Sequence, residues 1–234
     1  MKKNLQEITL ASLLAAVYAL ISLLPGFPII GLSGSSISLT RSLDICYGLI
    51  LGPVLGPFSA FLGAVLGKTL VGSSLFFTLP AIVSAFMAAA LNRDHIIKLN
   101  GWLLSVIPLT GLIICWYLTP VGREALYYPV PHIIGLGIIF LFRGKITNYL
   151  QSQDKKRLTF GVLLSAYPST MAGHMLGNLI FMLLSNTNAI FFLTLLPLSI
   201  VERLTLTAIA AVISVPLILV TRNLYPEENL SKMR

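Results

Sequence analysis

Charge is what this sequence has least of. Asp, Glu, Lys and Arg make up 10% of its 234 residues, against about 25% in a soluble domain. None of the four occurs in 8–40, 45–67, 69–92, 99–122, 125–142, 158–201 or 204–221. Runs of that length exclude an ordinary soluble core. Cysteine is also scarce. Cys46 and Cys115 both sit in apolar runs and read as small buried hydrophobes, with no disulfide or metal framework suggested. Three histidines scattered among the apolar runs lack metal-ligand spacing, so neither a metal nor a cofactor is expected. There is no HExxH, no GxxxxGK[ST] and no polar stretch long enough to house an ATPase. "GLSGSS" (31–36) is a weak phosphate-loop lookalike with no helix-forming run directly behind it, and is rejected. Period-two alternation is missing, which argues against a β-barrel.

What is present is apolar: 56% hydrophobic residues and a mean hydropathy of +0.89. About 20 apolar residues cross a bilayer as a helix, the form that satisfies its own backbone polar groups in lipid. The expected fold is an all-α integral membrane protein, with residues 1–234 as one transmembrane domain. Expected helices are 8–24, 42–54, 57–72, 75–91, 100–118, 131–143, 158–184 and 199–221. "GPVLGP" (52–57) joins two short segments that are either thin spans or a broken hairpin, so the bundle has six to eight spans. The first run is not a cleavable signal peptide, because further spans follow in place of a polar domain.

The net charge of +8 is read as a topology signal and not as a nucleic-acid footprint. With the N-terminus inside, Lys2, Lys3, Arg93, Lys98, Arg143, Lys145, Lys155, Lys156, Arg157, Arg222, Lys232 and Arg234 fall on the inner side. Arg41, Lys68, Arg123 and Arg203 fall outside or within the membrane. Twelve against four places both termini in the cytoplasm. "RGKITNYLQSQDKKR" (143–157) is then the main cytoplasmic loop.

Small residues recur at four-residue spacing: Ala11, Ala15 and Ala19; Gly48, Gly52 and Gly56; Gly63 and Gly67; Ala81, Ala85 and Ala89. Residues four apart share a helix face, and small ones let another backbone approach closely in lipid. For the glycine sets the expected use is packing inside the bundle. For the alanines of the first helix, spacing alone shows only a close-packing surface.

Several features together resemble the substrate-binding (S) components of energy-coupling factor transporters. They are the Ala11, Ala15, Ala19 pattern, the Gly/Ser-rich "PGFPIIGLSGSSIS" (25–38), "GLILGPVLGPFSAFLGAVLG" (48–67) and "SLFFTLPAIVSAFMAAAL" (74–91). The resemblance spans most of the chain, although 100–143 departs from it and adds a hairpin to the family's usual six helices. It implies a prokaryotic cell-membrane subunit that captures a vitamin-like solute. It also implies two kinds of partner, a transmembrane coupling subunit and ATPase subunits. Carried over, Ala11, Ala15 and Ala19 would form the docking face for the coupling subunit.

Ionisable side chains within apolar spans are costly and mark functional positions. Arg41 and Asp44 open the second helix. His174 lies near mid-membrane with Asn178 one turn further out, and Glu202 and Arg203 lie about one turn into the last helix. All fall in the outer half, which predicts a solute pocket there with Arg41, Asp44, His174, Asn178 and Glu202 in its wall. Each has a plainer alternative. Arg41 and Asp44, i and i+3, form an interfacial ion pair. His174 and Asn178 clasp neighbouring helices, and Lys68 snorkels to the headgroups. Glu202 and Arg203 are about 100° apart on the helix, so only one is expected to face inward, and Glu202 is favoured. Trp116, Tyr117, Tyr127 and Tyr128 are expected as an aromatic belt, with ligand stacking as the alternative.

Three functions are weighed. The first is the transport subunit, with no reaction of its own. The second is a self-sufficient secondary carrier, against which no internal repeat is found. The third is an intramembrane lipid-modifying enzyme. For that the acids are sparse, and His174 with Ser169 lacks a nucleophile motif.

Overall fold

A computed structural model describes residues 2–24, 27–28, 36–37 and 39–224 of the chain. The described residues form eight helices: α1 (Lys2–Ile21), α2 (Thr40–Val71), α3 (Leu79–Leu91), α4 (Gly101–Leu118), α5 (Pro120–Glu124), α6 (Val130–Gln151), α7 (Lys155–Leu184) and α8 (Ala189–Leu224). A 3-10 turn, Leu75–Thr78, precedes α3. Two minimal antiparallel ribbons complete the fold, β1 (Phe27–Pro28) with β2 (Ser36–Ile37) and β3 (His95–Ile96) with β4 (Leu99–Asn100). Among the described residues, four helices are long and apolar enough to cross a membrane: Thr40–Val71, Gly101–Leu118, Val130–Gln151 and Ala189–Asn223. Outward faces of the bundle, α7 included, are greasy as well. Val54, Leu141, Leu183 and Val212 are each at least 75% exposed. So wide an apolar surface suits lipid and not water, and the protein is a helical membrane bundle.

α2 does not run straight. Gly52 has φ 82° and ψ −170°, a region open essentially only to glycine. A Cβ on Gly56 would lie 2.7 Å from the Tyr47 carbonyl oxygen and 2.8 Å from Gly48 Cα. In a continuous helix eight residues separate two turns by about 12 Å. The chain therefore reverses at Gly52, and the two arms pack backbone to backbone. "GPVLGP" is the reversal that the sequence left open, made by one glycine conformation with Pro53 and Pro57 behind it. Replacing Gly52 with Ala is expected to cost about 1–3 kcal/mol from backbone strain. The added methyl also crowds the Arg93 guanidinium, 2.5 Å from the Cβ position. A thermal melt in detergent reads the loss, and an unchanged midpoint would mean that the turn tolerates a side chain.

The second arm of α2 runs beside α1 in the same direction. Ser59 Oγ donates to the Ala11 carbonyl at 2.7 Å. A Cβ on Gly63 would stand 2.9 Å from the Ala15 carbonyl oxygen and 2.5 Å from Tyr18 Cβ, and one on Gly67 would meet Ser22. Tyr47, from the first arm, donates to the Leu14 carbonyl at 2.6 Å. Ala11, Ala15 and Ala19 are 5%, 1% and 6% exposed. This corrects the docking-face expectation: the alanine groove is filled by the chain's own α2. The glycine sets do pack internally, with Gly48 against the Ala85 carbonyl and Gly173 of α7 against Ser84.

The helix ends gather at two poles. At one, Asn92 Nδ2 donates to the Leu49 carbonyl at 3.1 Å and Thr147 Oγ1 to the Leu91 carbonyl at 3.1 Å. Arg222 donates there to the Ser152 carbonyl at 2.8 Å and to the Leu150 carbonyl, satisfying the end of α6. The Gly52 reversal sits at this pole beside Arg93. At the other pole lie the start of α2, the Leu75–Thr78 turn, α5 and the α7–α8 link. Arg93, Lys98, Arg143, Lys145, Lys155, Lys156, Arg157 and Arg222 all lie toward the first pole.

Several boundaries differ from expectation. α1 starts at Lys2, before residue 8. α6 continues to Gln151 and α7 begins at Lys155, capped by the Asp154 side chain, which accepts from Lys156 N at 2.9 Å. The expected loop 143–157 is therefore mostly helix, because charge marks where lipid ends and not where hydrogen bonding ends. α8 begins at Ala189, ahead of the expected start at 199, and runs through Pro197. In lipid, side chains and neighbouring helices satisfy backbone groups that a proline frees. Cys46 is buried as expected, whereas Cys115 is exposed on α4. Most of the Gly/Ser segment 25–38 lies outside the described residues, as do Lys232, Arg234 and the side chains of Lys2 and Lys3.

Candidate functional site

A cavity of about 660 Å³ opens toward the pole opposite the Gly52 reversal. That volume is in the range of small-molecule sites. Both ends of α2 reach it, through Arg41 and Lys68. Phe77 of the 3-10 turn and Ser84 of α3 close one side, and α7 and α8 supply most of the rest. His174 lies ten residues from the end of α7 at Leu184, or about 15 Å at helical rise. The cavity thus extends about half-way through a hydrocarbon layer of about 30 Å.

Charge is concentrated in its wall. Arg41 Nη2 donates to the Phe77 carbonyl at 2.7 Å, and Nη1 stands 3.5 Å from Asp44 Oδ2. Asp44 is fully buried behind Arg41 and does not itself line the cavity. It is corrected from a solute contact to a residue that holds the arginine. Glu202 and Arg203 both line the cavity and pair with each other. This corrects the expectation that only Glu202 faces inward. Arg203, with 8% of its side chain exposed, is the more enclosed of the two, against 15% for Glu202. Its length lets the guanidinium fold back along α8 to reach its neighbour. Lys68, expected at the headgroups, also lines the cavity.

The deeper polar groups are linked in pairs. His174 Nδ1 lies 3.3 Å from His132 Nε2, one donating and the other accepting according to tautomer. The two rings stack at 5.4 Å with 6° between planes. Asn178 Nδ2 donates to Tyr128 Oη at 2.9 Å. His174 and Asn178 therefore hold neighbouring elements and also line the cavity. Tyr128 stacks on Trp116 at 4.8 Å and meets Phe192 edge-on at 5.3 Å, and Phe181 stacks on Phe191 at 5.6 Å. This corrects the aromatic-belt expectation for Trp116 and Tyr128, which are 0% and 2% exposed. Tyr127, 75% exposed, does face outward.

Of the residues anticipated from sequence, Arg41, His174, Asn178 and Glu202 share the cavity. Ala11, Ala15 and Ala19 do not belong to it. Sequence reasoning missed His132, although it is an ionisable residue in an apolar span and the rule that selected His174 selects it too. It missed Phe181, Phe191 and Phe192 because phenylalanine in an apolar helix carries no local signal. Ser169, weighed as a nucleophile, is buried and donates to the Ser165 carbonyl at 2.7 Å.

Over 189 residues the chain is 32% identical to an uncharacterized protein of Methanocaldococcus jannaschii, a match covering 79% of this chain and 61% of that relative. The chain thus spans less than two thirds of the relative's length. No protein-family profile matches the chain. No solved structure matches it.

Proposed function

We propose that the chain is a solute-binding subunit of an ATP-driven vitamin or micronutrient uptake transporter in a prokaryotic plasma membrane. The observation that carries this reading is the cavity, about 660 Å³, with a mixed charged and aromatic wall reaching from one pole to mid-membrane. The basic residues toward the opposite pole support a cytoplasmic position for that pole and for both termini. The cavity then opens outward and takes its solute from outside. The chain catalyses no reaction in this reading. A transmembrane coupling subunit and ATPase subunits do the work, and the surrounding partner is the lipid bilayer. The coupling subunit docks on a face other than the alanine stripe, which α2 covers.

Two observations favour a second reading, a self-sufficient secondary carrier. The alanine stripe is not free for another chain. The pair α4 and α6 also brings the bundle to eight traverses where the resemblance implies six.

Affinity isolation of the tagged chain from native membranes, with and without cross-linking, separates the two readings. The expected result is co-purification of a membrane subunit with ATPases, together with a small molecule identified by mass spectrometry. A partnerless chain that still carries the small molecule would transfer the assignment to the carrier. A partnerless chain with no small molecule would defeat both.

A further inference from the structure

The cavity wall carries more positive charge than its own acids neutralise. Three cations line it, Arg41, Lys68 and Arg203, against one carboxylate, Glu202. Asp44, behind the wall, offsets Arg41, and Glu202 offsets Arg203. Lys68 has no such partner among the described ion pairs. Arg41 is also near enough to both Lys68 and Arg203 for like charges to repel. Between Arg41 and Arg203, whose side chains are 20% and 8% exposed, that repulsion is weakly screened. The Arg203 Nε–H is buried with no acceptor among the described groups, and a buried unpaired donor is costly. An anion placed among these groups relieves the repulsion and accepts from the free donors through charge-assisted hydrogen bonds.

The cavity also carries aromatic rings. Phe77, Tyr128, Phe181, Phe191 and Phe192 line the same space. Their faces and edges suit a flat apolar body better than a flexible polar one. We infer that the cavity selects a water-soluble solute with an anionic head, carboxylate or phosphate, joined to a planar apolar body. Lys68 and the other cations of the lining take the head, and the aromatic rings take the body. This rests on the cavity being the solute site proposed above.

The test uses the full chain in detergent and follows its melting midpoint with four probes. Benzoate and phenyl phosphate carry the anion; benzamide and benzyl alcohol are their neutral counterparts. A fifth addition, phosphatidylglycerol, asks whether a lipid headgroup supplies the anion. The expected result is that one or both soluble anions raise the midpoint and the neutral pair does not. Lys68 is only half-buried, so Lys68→Gln should melt no lower than the parent without probe yet bind the anion at least tenfold more weakly. Equal stabilisation by neutral and anionic probes, abolished by Phe192→Ala, would overturn the charge selection while leaving the cavity as a solute site. Undiminished anion binding by Lys68→Gln would overturn the placement of the head. Stabilisation by phosphatidylglycerol alone would overturn a soluble solute in favour of a lipid headgroup. No response to any probe would overturn this inference together with the reading of the cavity.

Discussion

Ala15→Trp is expected to damage the fold itself. Ala15 is 1% exposed, and its neighbour across the contact is Gly63, where even one added carbon would stand 2.9 Å from the Ala15 carbonyl oxygen. Those neighbours are largely backbone, which cannot rotate away as a side chain can. Overpacking a core commonly costs about 1–3 kcal/mol, and an indole against a glycine-lined backbone falls at or beyond the upper end. For a chain of this size the midpoint should fall by about 10 °C, with loss of a monodisperse peak in detergent. Leu13→Trp is the control: Leu13 lies on the same helix but is 59% exposed, and should melt as the parent does. A surface kept for a partner gives the opposite result, an Ala15→Trp protein that is stable but uncoupled. The melt alone therefore separates the two uses of the stripe.

The second large effect is expected at the Glu202–Arg203 pair. Arg203→Met leaves the Glu202 carboxylate without its cation in surroundings of low dielectric. Removing one partner of a buried pair costs about 3–5 kcal/mol, whereas replacing both is often close to neutral. Glu202→Gln combined with Arg203→Met should therefore recover much of the stability that Arg203→Met loses. A double-mutant cycle in thermal or denaturant unfolding measures the coupling. Losses that simply add, with the double variant losing what the two single variants lose together, would show that the pair contributes little to the fold. The double variant also separates fold from binding. It should be folded, yet bind the anionic probes poorly, because the deeper cation is gone.

The site was partly legible because ionisable residues are conspicuous in apolar spans. Arg41, His174, Asn178 and Glu202 meet in one cavity and were all visible for that reason. The same rule reaches His132. It could not order Glu202 against Arg203, because helical phase gives the direction of a Cβ and not the path of a long arm that folds back on its neighbour. It could not assign Asp44 either. Whether a carboxylate faces a cavity or supports an arginine from behind depends on what lies across from it. The phenylalanines were invisible because apolar side chains in lipid face neighbours and acyl chains with similar energy.

The sequence by itself determined that the chain lives in lipid and is helical. Backbone groups without water must bond within their own segment, and charge-free runs of this length admit no other solvent. It also determined where backbones come close, since glycine and alanine at four-residue spacing leave room for nothing else. Only the tertiary structure decided which backbone fills each groove. A spacing states that a neighbour fits; it does not say whether that neighbour belongs to the same chain. Ala11, Ala15 and Ala19 face the second arm of α2 because Gly52 turns that arm back alongside α1. That reversal is a single backbone conformation which glycine permits but does not require. Its adoption depends on the surfaces that then meet, and those surfaces exist only once the chain has folded.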